Sequence, residues 1–117
     1  MAVDNLAQLG INNVSVIQSN IDACLDGVLE DFDTLDFVFI DANHRSQALN
    51  NYVEKCIKKT NEHSILVIDD INWSEDMHKA WKHLQSHPAV TSTISTYHFG
   101  IVFFNTHLTK KHYHMMF

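Results

Sequence analysis

Residues 35–41 read LDFVFID, and residues 64–70 read SILVIDD. Each stretch is a short, nearly continuous apolar run that ends in aspartate. Such runs are typical of strands that are buried on both faces, as in parallel sheets. The first run predicts a strand over 35–40, and the second predicts a strand over 64–69. Asp41 and the adjacent pair Asp69 and Asp70 then lie at the carboxyl ends of these strands.

Helical patterns lie between and after the two strands. A helix over about 46–59 is predicted by apolar residues at helical spacing: Ala48, Leu49, Tyr52, Val53, Cys56 and Ile57. Ser74 can cap a further helix, and Glu75 and Asp76 in its first turn favour the helix dipole. This second helix has an apolar stripe and ends near Pro88; the stripe consists of Met77, Ala80, Trp81 and Leu84.

The rest of the chain continues the alternation of helices and strands. Upstream, the sequence predicts a helix over 3–9 that ends at Gly10, a strand over 13–18 (NVSVIQ), and a helix from Asn20 to about Glu30. Three β-rich stretches close the chain: 91–97, 101–104 and 112–117. This order predicts one α/β domain over residues 1–117, with a mostly parallel sheet and an antiparallel C-terminal end.

Composition excludes several classes of partner. The 117 residues are 45% hydrophobic and carry a formal charge of −6, so the domain lacks the basic surface that binds nucleic acid or anionic membranes. No apolar run approaches the roughly 20 residues of a membrane span, and residues 1–10 do not resemble a signal peptide. Cys24 and Cys56 occupy apolar positions of predicted helices, so we expect reduced thiols and a cytoplasmic setting.

Asp41, Asp69 and Asp70 are the first candidates for a functional site. In open parallel sheets, ligands bind beyond the carboxyl ends of the strands. Neighbouring strands lie about 4.8 Å apart, so carboxylates from two strands can share one small ligand or a hard cation such as Mg²⁺. The alternative for Asp41 is that it only caps the next helix. Capping is harder to invoke for two adjacent acids.

Other residues near the same edge have two interpretations each. His44 can act as a general base or contact adenine or substrate, or it can be a half-exposed residue of a first helical turn. Asn20 can contact a ligand or only cap its helix. Trp73 can line a pocket or pack under the following helix. The spaced pairs His83/His87 and His112/His114 can each share a face, but neither has a third metal ligand at motif spacing.

Several familiar motifs are absent from the sequence. It contains no G-x-G-x-x-G, no Walker A loop, no H-E-x-x-H and no C-x-x-C. No serine or cysteine occupies a nucleophile elbow. The acids at the strand ends therefore remain the main candidates for a catalytic or binding role.

The order of these stretches resembles the C-terminal portion of class I S-adenosylmethionine-dependent methyltransferases of the small O-methyltransferase type. LDFVFIDANH and SILVIDDINWS are similar to that family's fourth and fifth strands, and NLAQLGINNVSVIQSN is similar to the helix and third strand before them. FGIVFF and HYHMMF resemble its antiparallel sixth and seventh strands. The resemblance spans essentially the whole chain and implies a partial Rossmann-like sheet.

The resemblance also implies roles for individual residues. Asn20 and Ile21 would lie near the adenine of the cofactor, and Asp41 would lie beside the transferred methyl group or a metal. Asp69 and Asp70 would occupy metal or substrate positions. Methyl transfer to an oxygen would also need a base, for which His44 is the candidate, or a metal at the three acids. Metal-dependent members carry an acid–amide pair where this chain has Asp69–Asp70. The implied cofactor is S-adenosylmethionine, with Mg²⁺ as a further candidate.

The family's Gly-rich cofactor loop and its ribose-binding acid precede the matching region, and this chain contains neither. The family's sheet order is 3-2-1-4-5-7-6, so the strand LDFVFI would have an unpaired apolar edge, which favours pairing with another chain. Either the predicted strand over 13–18 moves beside LDFVFI by a right-handed crossover, or two chains join across the gap. We therefore expect a homodimer or a strand-exchanged assembly. Three hypotheses follow: a methyltransferase that is inactive without the missing half, a non-catalytic homodimerising remnant, and an α/β domain that binds a metal or small molecule.

Overall fold

The computed structural model describes residues 2–41 and 45–116. Four helices and five strands alternate along most of the chain. In chain order they are α1 (Ala2–Gln8), α2 (Ile21–Glu30), β1 (Phe37–Ile40), α3 (Ser46–Ile57), β2 (Ile65–Asp69), α4 (Glu75–Gln85), β3 (Ser92–Ser95), β4 (Phe99–Phe103) and β5 (Lys111–His114). None of the helices in the described ranges is long and apolar enough to cross a membrane.

The five strands form one mixed sheet in the order β1-β2-β4-β3-β5. β1 and β2 are parallel, β4 runs antiparallel to both β2 and β3, and β5 is parallel to β3. The predicted α/β class, with parallel strands followed by an antiparallel hairpin, is confirmed. The order β1-β2-β4-β3 reproduces the 4-5-7-6 part of the sheet that the sequence resemblance implied.

Two strand predictions are wrong. Residues 13–18 adopt no strand, because their backbone groups pair with no neighbouring strand in the described chain. β-branched side chains favour a strand only where a sheet is available to receive it. The stretch 112–117 is not part of the antiparallel pair. β5 is instead an added edge strand beside β3, and the hairpin consists of β3 and β4.

The helices α2, α3 and α4 pack on one face of the sheet and form the core. Leu66, Ile68 and Val102 project toward them and are fully buried. The predicted stripe of α4 is confirmed, since all of its members are buried: Met77, Ala80, Trp81 and Leu84.

Both predicted helix caps are also confirmed. The side chain of Asn20 accepts a hydrogen bond from Asp22 N at 2.9 Å, and that of Ser74 accepts one from Met77 N at 3.1 Å.

The opposite face of the sheet carries a second apolar surface, which we call the open face. Its side chains are half-buried or exposed, and they are Phe37, Phe39, Ile65, Val67, Ile94, Phe99, Ile101, Phe103 and Tyr113. The strand register aligns five of them in one row across all five strands: Phe39, Val67, Ile101, Ile94 and Tyr113. The sheet is therefore covered on one side by helices and apolar on both.

Candidate functional site

Asp41, Asp69 and Asp70 come together at one edge of the sheet, and we call them the acidic cluster. β1 and β2 are parallel neighbours, so their carboxyl ends place Asp41 beside Asp69. One carboxylate oxygen from each of the three residues lies within 4.8 Å of the others. Asp41 is exposed, and the other two are half-buried. The sequence prediction that these acids share a site is consistent with this geometry.

The turn after β2 fixes the second half of the acidic cluster. Asp70 has φ of 56°, in the left-handed region that aspartate tolerates better than most residues. Its backbone N–H donates to Asp69 Oδ1 at 3.0 Å. The next residue, Ile71, is buried and donates its N–H to the carbonyl of His98 at 3.1 Å. The sharp turn thereby directs two adjacent carboxylates toward the same edge.

A groove of about 370 Å³ adjoins the acidic cluster. Asp70 belongs to both, and the other lining residues are Asn72, Trp73, Tyr97 and His98. Trp73 and Tyr97 are 65% and 69% exposed, so Trp73 does not serve as a buried staple under α4. The amide of Asn72 donates to the carbonyl of Tyr97 at 2.9 Å and thus joins the β2–α4 turn to the β3–β4 turn. This wall can receive a small planar molecule beside the carboxylates.

A carboxylate of α4 caps the helix that follows Asp41. Both Ser46 N and Ser46 Oγ donate to the carboxylate of Asp76, each at 2.8 Å. The residue before the helix, Arg45, makes no side-chain cap of its own. The backbone and hydroxyl donors of Ser46 lower the pKa of Asp76 below its ordinary value of 3.8. This Ser46–Asp76 clasp joins the start of α3 to the start of α4.

Two of the three residues predicted to bind the cofactor line a common pocket. Ile21 and Asp41 border a pocket of about 280 Å³ between α2, α3 and β1. Its remaining wall is largely apolar and consists of Leu25, Val38, Phe39, Ile40, Tyr52 and Cys56. Asn20 is not among these residues; its side-chain oxygen caps α2. The pocket has the size and apolar character that suit the adenine end of a nucleoside.

The other candidates from the sequence have ordinary structural surroundings or cannot be placed. His44 lies outside the described residues. His87 Nε2 lies 3.1 Å from Glu54 Oε1, and His112 Nδ1 lies 2.8 Å from Thr93 Oγ1. Within the described ranges, the acidic cluster is the one group of three or more side chains that could hold a metal ion. Cys24 and Cys56 are free thiols, as expected, and burial raises the pKa of Cys56.

The sequence interpretation misses Asn72, Tyr97 and His98 as lining residues of the groove. It also places Asp76 only at the helix dipole, because its partner Ser46 lies 30 residues away in sequence. Tyr97 and His98 reach the site because β4 lies next to β2, which places the β3–β4 turn beside the end of β2. The implied sheet order 4-5-7-6 already predicts this neighbourhood. In that order the seventh strand, here β4, lies beside the fifth, here β2, so the turn before β4 lies close to the end of β2.

A family model described as a methyltransferase domain matches residues 3–71 of the chain, which is more than half of its length. The matched range includes Ile21, Asp41 and the pair Asp69–Asp70. No curated protein matches the chain.

Proposed function

Since this chain belongs to the methyltransferase-domain family, we propose that it serves S-adenosylmethionine-dependent transfer of a methyl group to an oxygen of a small acceptor. The observation that carries the proposal is the convergence of Asp41, Asp69 and Asp70 between two pockets. One pocket contains Ile21 and is suited to an adenine. The other contains Trp73 and Tyr97 and is suited to the acceptor.

Asp41 is the residue that joins the two halves of the proposed site. It lines the pocket with Ile21 and also belongs to the acidic cluster. Its carboxylate would face the positively charged end of S-adenosylmethionine, which supplies the methyl group when bound. The predicted role of His44 as the base that takes the acceptor's hydroxyl proton is part of the same proposal.

The acidic cluster also fits a divalent cation. Three carboxylate oxygens within 4.8 Å of one another form the hard-oxygen donor set that Mg²⁺ prefers. Asp41, Asp69 and Asp70 would hold the ion, with water completing its coordination. A cation there would lower the pKa of an acceptor hydroxyl. The acceptor itself would be positioned by the aromatic side chains of Trp73 and Tyr97.

We propose further that the chain by itself binds the cofactor weakly and is inactive alone. The 117 residues contain no Gly-rich loop, so the backbone donors that such a loop offers to a nucleoside cofactor are absent from them. The pocket beside Ile21 offers mainly apolar contacts. Contacts of this kind support millimolar rather than micromolar affinity. The two free thiols are consistent with a reducing compartment, and we place the chain in the cytoplasm.

Titration with S-adenosylhomocysteine, followed by backbone NMR, tests the cofactor part of the proposal. We expect saturable shifts centred on Ile21 and Asp41, with Kd in the range of about 1 mM or above, equivalent to roughly 4 kcal/mol of binding free energy. Ile21→Ala should weaken binding several-fold. Val28→Ala is the matched control, because Val28 is a half-buried residue of the same helix that does not line the pocket. No shift at several millimolar ligand would exclude the cofactor site.

Calorimetric titration of Mg²⁺ tests the acidic cluster separately. We expect the double variant Asp69→Asn/Asp70→Asn to lose at least about tenfold in affinity, because two of three charged ligands become neutral amides. Asp4→Asn/Asp33→Asn removes the same charge from exposed positions outside the cluster and should bind as the original chain does. Equal affinity in both double variants would show that the cluster does not hold the metal.

The two alternatives remain distinguishable by the same titrations. A metal-binding α/β domain without methyl transfer would pass the Mg²⁺ test and fail the nucleoside test. A non-catalytic remnant would fail both.

A further inference from the structure

The charges of the chain are unevenly distributed along its sequence. All 14 acidic residues precede residue 89, whereas residues 89–117 contain Lys110, Lys111, four of the nine histidines and no acidic side chain. This acid-free segment contains β3, β4 and β5, which are neighbours in the sheet. A chain whose formal charge is −6 therefore has three adjacent strands whose only charged side chains are basic.

A cleft of about 490 Å³ lies entirely within the acid-free segment. Its apolar wall combines side chains of the open face with one from the β4–β5 loop: Ile94, Phe103, Tyr113 and Leu108. Ser92, His107 and Thr109 complete the lining. Ser92 Oγ donates to the carbonyl of Thr109 at 2.9 Å and thereby attaches the loop to β3. A cleft of this volume, with apolar walls and a few polar groups, is typical of small-molecule sites.

Two of the groups around the cleft suit an anion. His107 lines the cleft, and its imidazole offers a ring N–H. The ammonium of Lys111 lies 5.1 Å from the centroid of the Tyr113 ring, which is part of the wall. Lys111 and Tyr113 are two residues apart on β5, so both lie on the open face. A carboxylate beside Tyr113 would thus meet a cation and a hydrogen-bond donor.

The acidic cluster lies too far along the sheet to cancel this charge. Asp69 aligns with Phe99 on β4, whereas the cleft begins at Phe103, four residues further along that strand. Four residues of a strand span about 13 Å, which exceeds the Debye length of about 8 Å at physiological ionic strength. Glu62, which precedes β2, has its carboxylate 3.3 Å from Nε2 of His63. The charges on the elements that form the cleft favour an anion over a cation.

We propose that this cleft binds a small organic carboxylate with an apolar body, such as an aryl-alkanoic acid. The apolar body would lie against Phe103 and Leu108, and the carboxylate would lie toward Lys111 and His107. Two such groups are enough for one carboxylate, whereas nucleic acid requires neutralisation of many phosphates. The site is separate from the acidic cluster and does not depend on the proposed methyl transfer.

NMR titration with three ligands that share one apolar body tests the proposal. 4-Phenylbutyrate, 4-phenyl-1-butanol and 4-phenylbutylamine have the same ring and chain but are anionic, neutral and cationic. We expect saturable shifts at Leu108, Thr109 and Tyr113, with a Kd of about 0.1–1 mM for the anion. The alcohol should bind at least about fivefold more weakly, and the amine more weakly still. Equal affinity for all three, or no saturable shift at these residues up to about 5 mM 4-phenylbutyrate, would overturn the proposal.

Two variants locate the charge and the cleft. Lys111→Gln should weaken 4-phenylbutyrate about three- to fivefold and leave the alcohol unaffected, because it removes one exposed charge. Lys82→Gln is the matched control, since it removes the same charge from an exposed residue of α4, on the opposite face of the sheet. Leu108→Asp should weaken the anion at least about tenfold, because it adds a like charge to the wall.

Leu108 is 45% exposed in a loop, so its replacement should leave the body folded, with unchanged resonances of Leu66 and Val102 as the check. Equal affinity of Lys111→Gln and Lys82→Gln for 4-phenylbutyrate would show that the anion binds elsewhere, and so would undiminished binding by a folded Leu108→Asp variant.

Discussion

Gly100 shows how one residue determines the packing of α4 on the sheet. It lies on β4 on the helix-covered face, directly beneath the indole ring of Trp81. A Cβ at this position would lie 2.4 to 2.7 Å from three ring carbons of Trp81. The indole is itself held by a hydrogen bond from Nε1 to Ser95 Oγ at 2.9 Å. The ring can therefore move away only by breaking that bond or shifting the helix.

We expect Gly100→Ala to destabilise the fold by about 1–3 kcal/mol, the usual cost of overpacking a core. Urea unfolding followed by tryptophan fluorescence measures this difference. Gly27→Ala is the control, because Gly27 lies within α2 and a Cβ added there would have no neighbouring atom within 4 Å. Alanine favours helix, so that change should stabilise the chain by about 0.5–1 kcal/mol. A neutral Gly100→Ala variant would mean that Trp81 can rotate freely.

The Ser46–Asp76 clasp gives a second expectation at the scale of single residues. The pKa of Asp76 is lowered in the folded state, so its carboxylate stabilises the fold above the unfolded value of 3.8. That stabilisation is lost as pH falls through the lower folded pKa. At pH 7, the Asp76→Asn variant should therefore have a lower Tm than the unaltered chain. As the pH falls below 3.8, the difference in Tm between the two proteins should shrink.

Glu75→Gln provides the reference for that experiment. Glu75 is the neighbouring acid in the same first helical turn, and its carboxylate lies 3.4 Å from the ammonium of the exposed Lys79. Exposed pairs of this kind contribute little. A difference between Asp76→Asn and the unaltered chain that persists unchanged at low pH would show that the clasp is not the source of the effect.

A buried hydrogen-bond chain joins three elements of the C-terminal half. Gln85 Nε2 on α4 donates to Thr93 Oγ1 on β3 at 3.0 Å, and Thr93 Oγ1 lies 2.8 Å from His112 Nδ1 on β5. Because Thr93 Oγ1 accepts from Gln85, its own hydroxyl proton can be donated to Nδ1 of His112. Thr93 is 0% exposed, so its hydroxyl has no access to water. This chain attaches the edge strand β5 to the body of the fold.

We expect Thr93→Val to cost about 1–3 kcal/mol, because the isosteric change leaves the buried amide of Gln85 without its acceptor. Urea unfolding is the appropriate measurement. Thr109→Val makes the same chemical change at an exposed loop position and should alter stability by less than about 0.5 kcal/mol. Equal stability of the two variants would imply that Gln85 finds another partner.

The elements that the sequence predicted best are those whose environment is encoded locally. The apolar runs of β1 and β2 placed both strands within two residues, and the stripes of α3 and α4 placed both helices. The failures are nonlocal. Residues 13–18 have strand-forming side chains but no strand beside them, and β5 joins the sheet beside β3 although its sequence resembled a hairpin strand.

The same distinction separates the predicted from the missed parts of the candidate site. Asp41, Asp69 and Asp70 follow strands, so their common edge could be inferred from parallel pairing. Tyr97 joins Asn72 in the groove, and Asp76 caps α3 at Ser46, through contacts between segments that lie 25 and 30 residues apart. Sequence spacing alone contains no information about such contacts.

The molecule as a whole divides into a packed body and an N-terminal segment with few contacts to it. Among residues 2–19, the backbone hydrogen bonds of the first helix and its C-terminal turn are local, and residues 12–19 make none to the sheet. Their large apolar side chains are exposed: Val3, Leu9, Ile11, Val14, Val16 and Ile17. The cap of α2 begins at Asn20, and every member of the core cluster lies after it. Stability should therefore reside in residues 20–116.

Deletion of residues 1–19 tests this division. We expect the shortened chain to unfold cooperatively with a free energy within about 1 kcal/mol of the full chain, because exposed apolar side chains contribute little burial. Deletion of residues 110–117 is the contrasting control, since it removes β5 and the Thr93–His112 hydrogen bond and should cost more. Loss of cooperative unfolding in the chain without residues 1–19 would instead show that the N-terminal segment belongs to the folded body.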